Sequence, residues 1–382
     1  MHAQHMPGRL RLLATVILLT LALLVAVPIA VFAQSADGSE GFYRQTNLVS
    51  DLPDIARVQD KNLVNSWGLV HGPATPWWVA DNGTGVSTLY DGNGTPFPPP
   101  PPNQPPAPLV VIIPPPAGAA PGTLAAPTGV VFNGTSGFVV SQGGKSGAAL
   151  FIFSTEDGTI SGWNPGVDRT HAVLAVDRSA VGAGAVYKGL AINSNEDGTF
   201  IYATNFRFGK IEMFNSKFHL VRSFTDHHLP EGYAPFGIQS IGPYLYVTFA
   251  LQNSARHDDV AGPGHGFVDV FSTSGHLIRR LISRGSLNSP WGLAHAPANF
   301  GQFSNDLLVG NFGDGHINAY NPKTGERVGQ LEDKAGDPIV IDGLWALEFG
   351  NDATAGPSNV LFFTAGIDGE MHGLFGKIES VS

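Results

Sequence analysis

The sequence contains no cysteine. Disulfide staples, thiolate metal sites, a lipid-modified N-terminal cysteine and a thiol nucleophile are thereby excluded, and stability has to come from packing. Charge is scarce as well. Asp, Glu, Lys and Arg make up 14% of the 382 residues, too few to lace the faces of long solvent-exposed helices. Cations are the scarcer sign, with 21 Lys and Arg against 31 Asp and Glu and a formal balance of -10, so the chain lacks the basic footprint of a nucleic-acid binder. No strand-turn-helix segment carries Gly-x-Ser-x-Gly, which leaves a Ser-His-Asp triad without its usual context. What is abundant is glycine and proline, 48 and 29 residues, the composition of short strands joined by many turns.

The positive signal is self-similarity. An apolar tetrad recurs six times, as Ser66-Trp67-Gly68-Leu69, Pro127-Thr128-Gly129-Val130, Tyr187-Lys188-Gly189-Leu190, Pro235-Phe236-Gly237-Ile238, Pro290-Trp291-Gly292-Leu293 and Leu344-Trp345-Ala346-Leu347. The third tetrad positions are 61, 60, 48, 55 and 54 residues apart, a period that marks an array of supersecondary units. After each tetrad come a second strand, such as Trp77-Trp78-Val79-Ala80 or Gly137-Phe138-Val139-Val140, and a third ending in Tyr or Phe. Alternating apolar residues and terminal aromatics suit half-buried antiparallel strands.

A lone four-stranded blade has two apolar faces and open edges, so several must pack around an axis. Six copies predict an all-β fold, a six-bladed β-propeller occupying residues 42–378 as a single domain. The last unit ends within seven residues of Phe375, too few for a turn and a fourth strand. The otherwise unassigned stretch from Phe42 to Leu48 is therefore expected to close the ring as the outer strand of the sixth blade.

Residues 1–33 carry Arg9 and Arg11, then a mostly apolar run ending Val31-Phe32-Ala33, which fits a signal peptide with its cleavage site; an uncleaved anchor is the competing reading. The expected location is secreted or extracytoplasmic, with membrane contact only through this segment. Two inserts interrupt the repeat. Residues 96–121 hold thirteen prolines in 26 positions, and only Leu109 to Ile113 reads as strand, the outer strand of the first blade. Residues 252–266 form the most polar loop, with Arg256-His257-Asp258-Asp259 followed by Gly262-Pro263-Gly264-His265.

Asn65-Ser66-Trp67-Gly68-Leu69, Val79-Ala80-Asp81-Asn82-Gly83, Thr155-Glu156-Asp157-Gly158-Thr159, His257-Asp258-Asp259-Val260, Gly310-Asn311-Phe312-Gly313-Asp314 and Asp342-Gly343-Leu344-Trp345 carry a resemblance. Together they resemble a bacterial family of uncharacterised secreted propellers, similar in layout to NHL-repeat propellers. The resemblance implies a fold and no reaction. Six-bladed gluconolactonase-like and paraoxonase-like enzymes are similar in layout too, and hold Ca2+ on the axis with Asn directly before the repeat Gly. Here the equivalent residues are Trp67, Thr128, Lys188, Phe236 and Trp291, none a good calcium ligand, and Asp342-Gly343 stands three residues out of phase.

Candidates for function follow from propeller geometry, in which inner-strand ends and their loops converge on the axis. The expected ligand-binding residues are Asp81, Asn82, Gln142, Asn205 and Asn311, placed at the ends of second strands, with Lys188 and Asp342 near the inner strands. Oxygen donors of this kind suit Ca2+, although Asn and Asp beside Gly are also the ordinary residues of tight turns. His257, Asp258, Asp259 and His265 have the donors for Zn2+ or another divalent metal, and Asp226-His227-His228 precedes the same blade. Trp67, Trp291 and Trp345 share a repeat position and are expected to pack on the axis, leaving Trp163 as the exposed stacking candidate. The functional expectation is binding of an extracellular small molecule, polysaccharide or protein at one face of the disc, without turnover. A metal-dependent lactonase or esterase is the alternative.

Overall fold

The structure, a computed structural model, describes residues 41–99 and 108–381. The expected N-terminal export segment and part of the proline insert lie outside these residues. Six antiparallel sheets succeed one another along the chain, each beginning with one of the six tetrads. Blade 1 comprises Ser66–Val70, Trp77–Asp81, Val86–Tyr90 and Val110–Ile112. Blade 3 comprises Tyr187–Asn195, Gly198–Asn205, Lys210–Asn215 and Leu220–Phe224, and blades 4 and 5 repeat the pattern from Tyr233–Ile241 and Pro290–His295. Each inner strand packs against the next, and that of blade 6 against that of blade 1, so the six form a closed ring.

The tetrad exists because the inner strands approach so closely. A Cβ placed on Gly68, Gly237 or Gly292 would run into the carbonyl oxygen of Thr128, Trp291 or Trp345 in the following blade, and one on Gly129 into the backbone of Leu190. At these positions only glycine fits, and the sixth blade, with Ala346, admits nothing larger than a methyl. Each inner strand also carries a bulge at the tetrad, where the register slips against the second strand. The amide freed by the bulge needs an acceptor, and a hydroxyl on the second strand supplies it in four blades. Gly129, Gly189, Gly237 and Ala346 donate to Ser154, Thr204, Thr248 and Thr364 at 3.2, 2.7, 2.8 and 3.1 Å. Thr204 and Thr364 pass the bond on to the carbonyls of Phe236 and Trp67, stitching blade to blade.

Blade 6 consists of Leu344–Phe349, Leu361–Ala365 and Leu374–Val381, completed on its outer side by Phe42–Ser50. The pairing is antiparallel from Phe42 opposite Val381 to Ser50 opposite Leu374, so the expected closure is present. Tyr43 adds a tie to blade 5: its hydroxyl donates to the Phe300 carbonyl at 3.0 Å and accepts from the Phe303 amide at 3.1 Å.

Blade 2 departs from the expectation. Its strands are Pro127–Phe132, Phe151–Thr155, Thr159–Trp163 and Val173–Asp177, and the segment around Phe138 to Val140 belongs instead to a separate hairpin, Val139–Gln142 with Lys145–Ala148. The run Ala149 to Phe153, which the sequence pattern reads as a third strand ending in Phe, thus falls in the second strand. A local hairpin has the same alternation as a blade strand, and only Ser154, equivalent to Thr204 and Thr364, marks the strand that lies beside the tetrad.

Candidate functional site

The loops that join second to third strands gather at one end of the axis, and the residues immediately before the tetrads gather with them. Asn65 is the hub of this upper mouth. It is held at a positive φ of 47° and is nearly buried. Its Oδ1 accepts from the indole nitrogens of Trp67 and Trp345 at 3.0 and 3.2 Å, while its Nδ2 donates to Asn82 at 3.3 Å and Glu370 at 2.9 Å. Asn82 in turn donates to Glu156 at 2.9 Å. Glu156 accepts from Lys188, whose ammonium also lies 3.3 Å from Asp258, and His257 bonds Asp258 at 2.7 Å. Side chains from blades 1, 2, 3, 4 and 6 are thereby joined in one network.

Beneath the network is an aromatic floor. Trp67 and Trp345 stack with centroids 3.5 Å apart, Phe312 stacks on Trp345 at 4.1 Å, and Trp291 meets both indoles edge-on. Trp67 and Trp345 are 1% exposed, which makes them axial packing as expected and removes them as stacking platforms. The Lys188 ammonium sits 5.0 Å from the Trp67 ring centre.

Electrostatics fix what these groups can do. Burial of Lys188 works against its charge, but Glu156 and Asp258 outweigh burial and hold the amine above its ordinary range. A nucleophilic or basic lysine needs the opposite shift, so Lys188 is a permanent cation. The hydrogen bond from His257, with Lys188 adding to it, keeps Asp258 well below the usual carboxylate range. Burial pushes Asp259 and Glu370 the other way. The upper mouth therefore has one firm anion in Asp258, one firm cation in Lys188, and two carboxyls, Asp259 and Glu370, displaced towards their neutral form.

The residues singled out from sequence divide into two groups. Asn82, Lys188, His257 and Asp258 meet in this network, and Asp259 lies close enough to feel Lys188. The others are held in local structure. Asp81 is fully buried inside blade 1, accepting from Ser66 and Thr88 at 2.9 and 2.7 Å, and burial raises its carboxyl well above the usual range. Asn205 accepts from the Val186 and Phe208 amides, and Asn311 donates to Ser286 and Asp314. Asp342 accepts from the Asp368 amide at 2.8 Å. Gln142 is not at the end of a second strand; it is exposed on the blade 2 hairpin, against Asp168. His265 folds onto the Val260 carbonyl at 2.8 Å, and Asp226 meets Arg280 within blade 4. Trp163, expected to be exposed, is 5% exposed and bonds the Arg169 carbonyl.

Asn65, Glu156 and Glu370 were missed because they read as turn residues. The available signal was Lys188, the one cation at the tetrad's second position, which has to meet an anion when buried. Among the described residues, Glu156, His257 and Asp258 form the one group of metal-type donors lying within 4.8 Å of one another.

Towards the opposite end the channel narrows to an apolar waist. The fourth tetrad residues, Leu69, Val130, Leu190, Ile238, Leu293 and Leu347, ring a waist of about 30 Å3. That is on the order of one water molecule, so the two mouths are separate sites.

No family model matches the chain. It is 32% identical over 339 residues to the uncharacterized protein R648 of Acanthamoeba polyphaga mimivirus, covering 87% of this chain and 78% of that protein. It is 32% identical over 338 residues to the uncharacterized protein L690 of the same virus, covering 87% and 84%. These relatives correct the expectation of a bacterial family. The motifs behind that expectation are tetrads and turns dictated by blade geometry, and they carry no record of source. A solved streptogramin B lyase structure superposes with a TM-score of 0.50 at 11% identity, covering 89% of this chain and 98% of that one. At that identity the likeness shows the propeller fold alone.

Proposed function

We propose that this chain, which belongs to the family of the mimivirus proteins R648 and L690, is a binding propeller that holds a hydroxyl-rich ligand at the upper mouth without converting it. The supporting observation is the network joining Asn65, Asn82, Glu156, Lys188, Asp258 and Glu370, drawn from five blades onto one point of the axis. Its donors are already engaged by its own carboxylates, while Asp259 Oδ2 is buried without a partner. A spare acceptor calls for a ligand that donates. With Asp259 and Glu370 pushed towards neutrality, a polyol fits better than a strong cation. A ligand outside the cell follows if residues 1–33 direct export.

Lys188, locked as an ammonium, cannot serve as a base or nucleophile for turnover. The metal reading rests on Glu156, His257 and Asp258, but the Lys188 ammonium already bridges the two carboxylates. A divalent ion would have to displace it or sit beside it at a Coulombic cost. Calorimetric titration with neutral oligosaccharides checks the binding reading: wild type should give heat, Glu370→Gln should weaken binding about tenfold, and no product should form. If Zn2+ or Ca2+ binds tightly and chelator-sensitive hydrolysis of esters or lactones appears, the metal hydrolase reading replaces it.

A further inference from the structure

The lower mouth opens into a cavity of about 290 Å3 whose walls come from the ends of the inner strands. Its throat is the six-membered aliphatic ring of the waist, each member of which keeps 3 to 7% exposure. One residue further along each inner strand stand Val70, Val131, Ala191, Gln239, Ala294 and Glu348. The repeat makes the exceptions visible: four positions carry small aliphatic residues, and two carry polar side chains that meet across the axis. Gln239 Nε2 donates to Glu348 Oε2 at 2.7 Å. Glu348 lines the cavity with Leu69, Val130, Leu190 and Phe132 around it. Its other titratable neighbour is His71, also on the lining, whose Nε2 is engaged by the Phe349 carbonyl at 2.8 Å.

A carboxylate in an aliphatic funnel is costly unless something compensates it. Gln239 supplies one hydrogen bond and no charge. Among the described residues no salt bridge involves Glu348, in contrast to the upper mouth, where Lys188 bridges Glu156 and Asp258. The missing complement is a cation small enough for the cavity and apolar behind its charge. A volume just under the roughly 300 Å3 at which drug-sized pockets begin suits a short chain.

We propose that the lower mouth binds an alkylammonium group, its charge on Glu348 and its methylenes against Leu69, Val130 and Leu190. The group can belong to a free primary amine or to a lysine side chain of a partner, and the chemistry of recognition is the same. This site is independent of the upper mouth and shares no residue with it.

The test is titration of the full chain with n-butylammonium, with n-butanol as the neutral isostere, followed by calorimetry or chemical-shift perturbation. Butylammonium should bind at millimolar concentration or better, butanol at least about tenfold more weakly, and Glu348→Gln should lose the amine by a similar factor. Leu190→Phe, which fills the throat, should weaken the amine without touching the carboxylate. Glu370→Gln should leave it unchanged, separating this site from the polyol site. A second arm compares butylammonium with a lysine-terminated peptide and its acetylated form: stronger binding of the unmodified peptide identifies a protein source, and equal or weaker binding a free amine. Failure of butylammonium to bind wild type, or equal binding by wild type and Glu348→Gln, overturns the proposal.

Discussion

The two ends of the same channel solve the problem of polar groups on an axis in opposite ways. At the upper mouth, charges from several blades neutralise one another, with Lys188 between Glu156 and Asp258 and Asn65 tying Glu370 to two indoles. At the lower mouth one carboxylate, Glu348, stands on an aliphatic ring with a single amide partner. The upper arrangement derives its order from internal pairing. The lower is left one charge short, and what completes it has to come from outside. The difference follows from what carries the groups: the upper ones stand mainly on loops between second and third strands, whereas the lower cavity is walled by the inner strands themselves.

The largest expected effect removes the comparison altogether. Gly237→Val would drive a branched side chain into the Trp291 carbonyl on the seam that supports both mouths. A loss of about 3 kcal/mol or more is expected in urea denaturation, or no folded protein at all. Retention of wild-type stability would mean the blades can separate at little cost.

Next comes the upper mouth alone. Lys188→Met leaves Glu156 and Asp258 without their shared cation and should cost about 2–4 kcal/mol, moderated because Asp258 reaches solvent. Adding Glu156→Gln should recover part of the loss, and amine binding at the lower mouth should survive both changes. Additive losses in this cycle would show that the pair does not couple.

The smallest effect has a sign that distinguishes the ends. Burial raises the folded-state pKa of Glu348, so folding is favoured by its proton, and the cost of its charge builds up as pH rises from the ordinary carboxylate range through that raised value. Glu348→Gln should therefore add about 1 kcal/mol at neutral pH and nothing below the ordinary range. Asp258, held low by His257 and Lys188, behaves inversely: it contributes stability above the ordinary aspartate range and loses it as pH falls through its depressed value. Denaturation of Glu348→Gln across pH 4 to 8 should show a stabilisation that grows with pH, whereas Asp258→Asn should show a loss that is constant across that range and shrinks only below the ordinary aspartate range.

The blade count and the ring closure were legible because the seam admits only Gly or Ala and the repeat therefore shows through. The strand assignment in blade 2 was not, since the Phe138 segment and the Phe151 strand alternate alike, and pairing is decided by Ser154 beneath the bulge. At the upper mouth, Lys188 and the His257-Asp258 pair stood out as charges in unusual places. Glu156 and Glu370 did not, because an acid beside a glycine turn looks the same whether it faces solvent or the axis. The lower mouth was hidden for another reason: Glu348 is conspicuous only once the six inner strands are superposed and the other five residues at its level are seen to be uncharged.

The pairing of Phe42–Ser50 with Leu374–Val381 also reaches into biosynthesis. Arg44 and Glu379 face each other 335 positions apart in sequence, so a nascent chain leaving the ribosome has five blades in hand and a first strand without its antiparallel partner. Throughout translation that strand offers a bare β-edge, the kind that recruits neighbours or chaperones. Ring completion becomes an event that follows synthesis of the Leu374–Val381 strand.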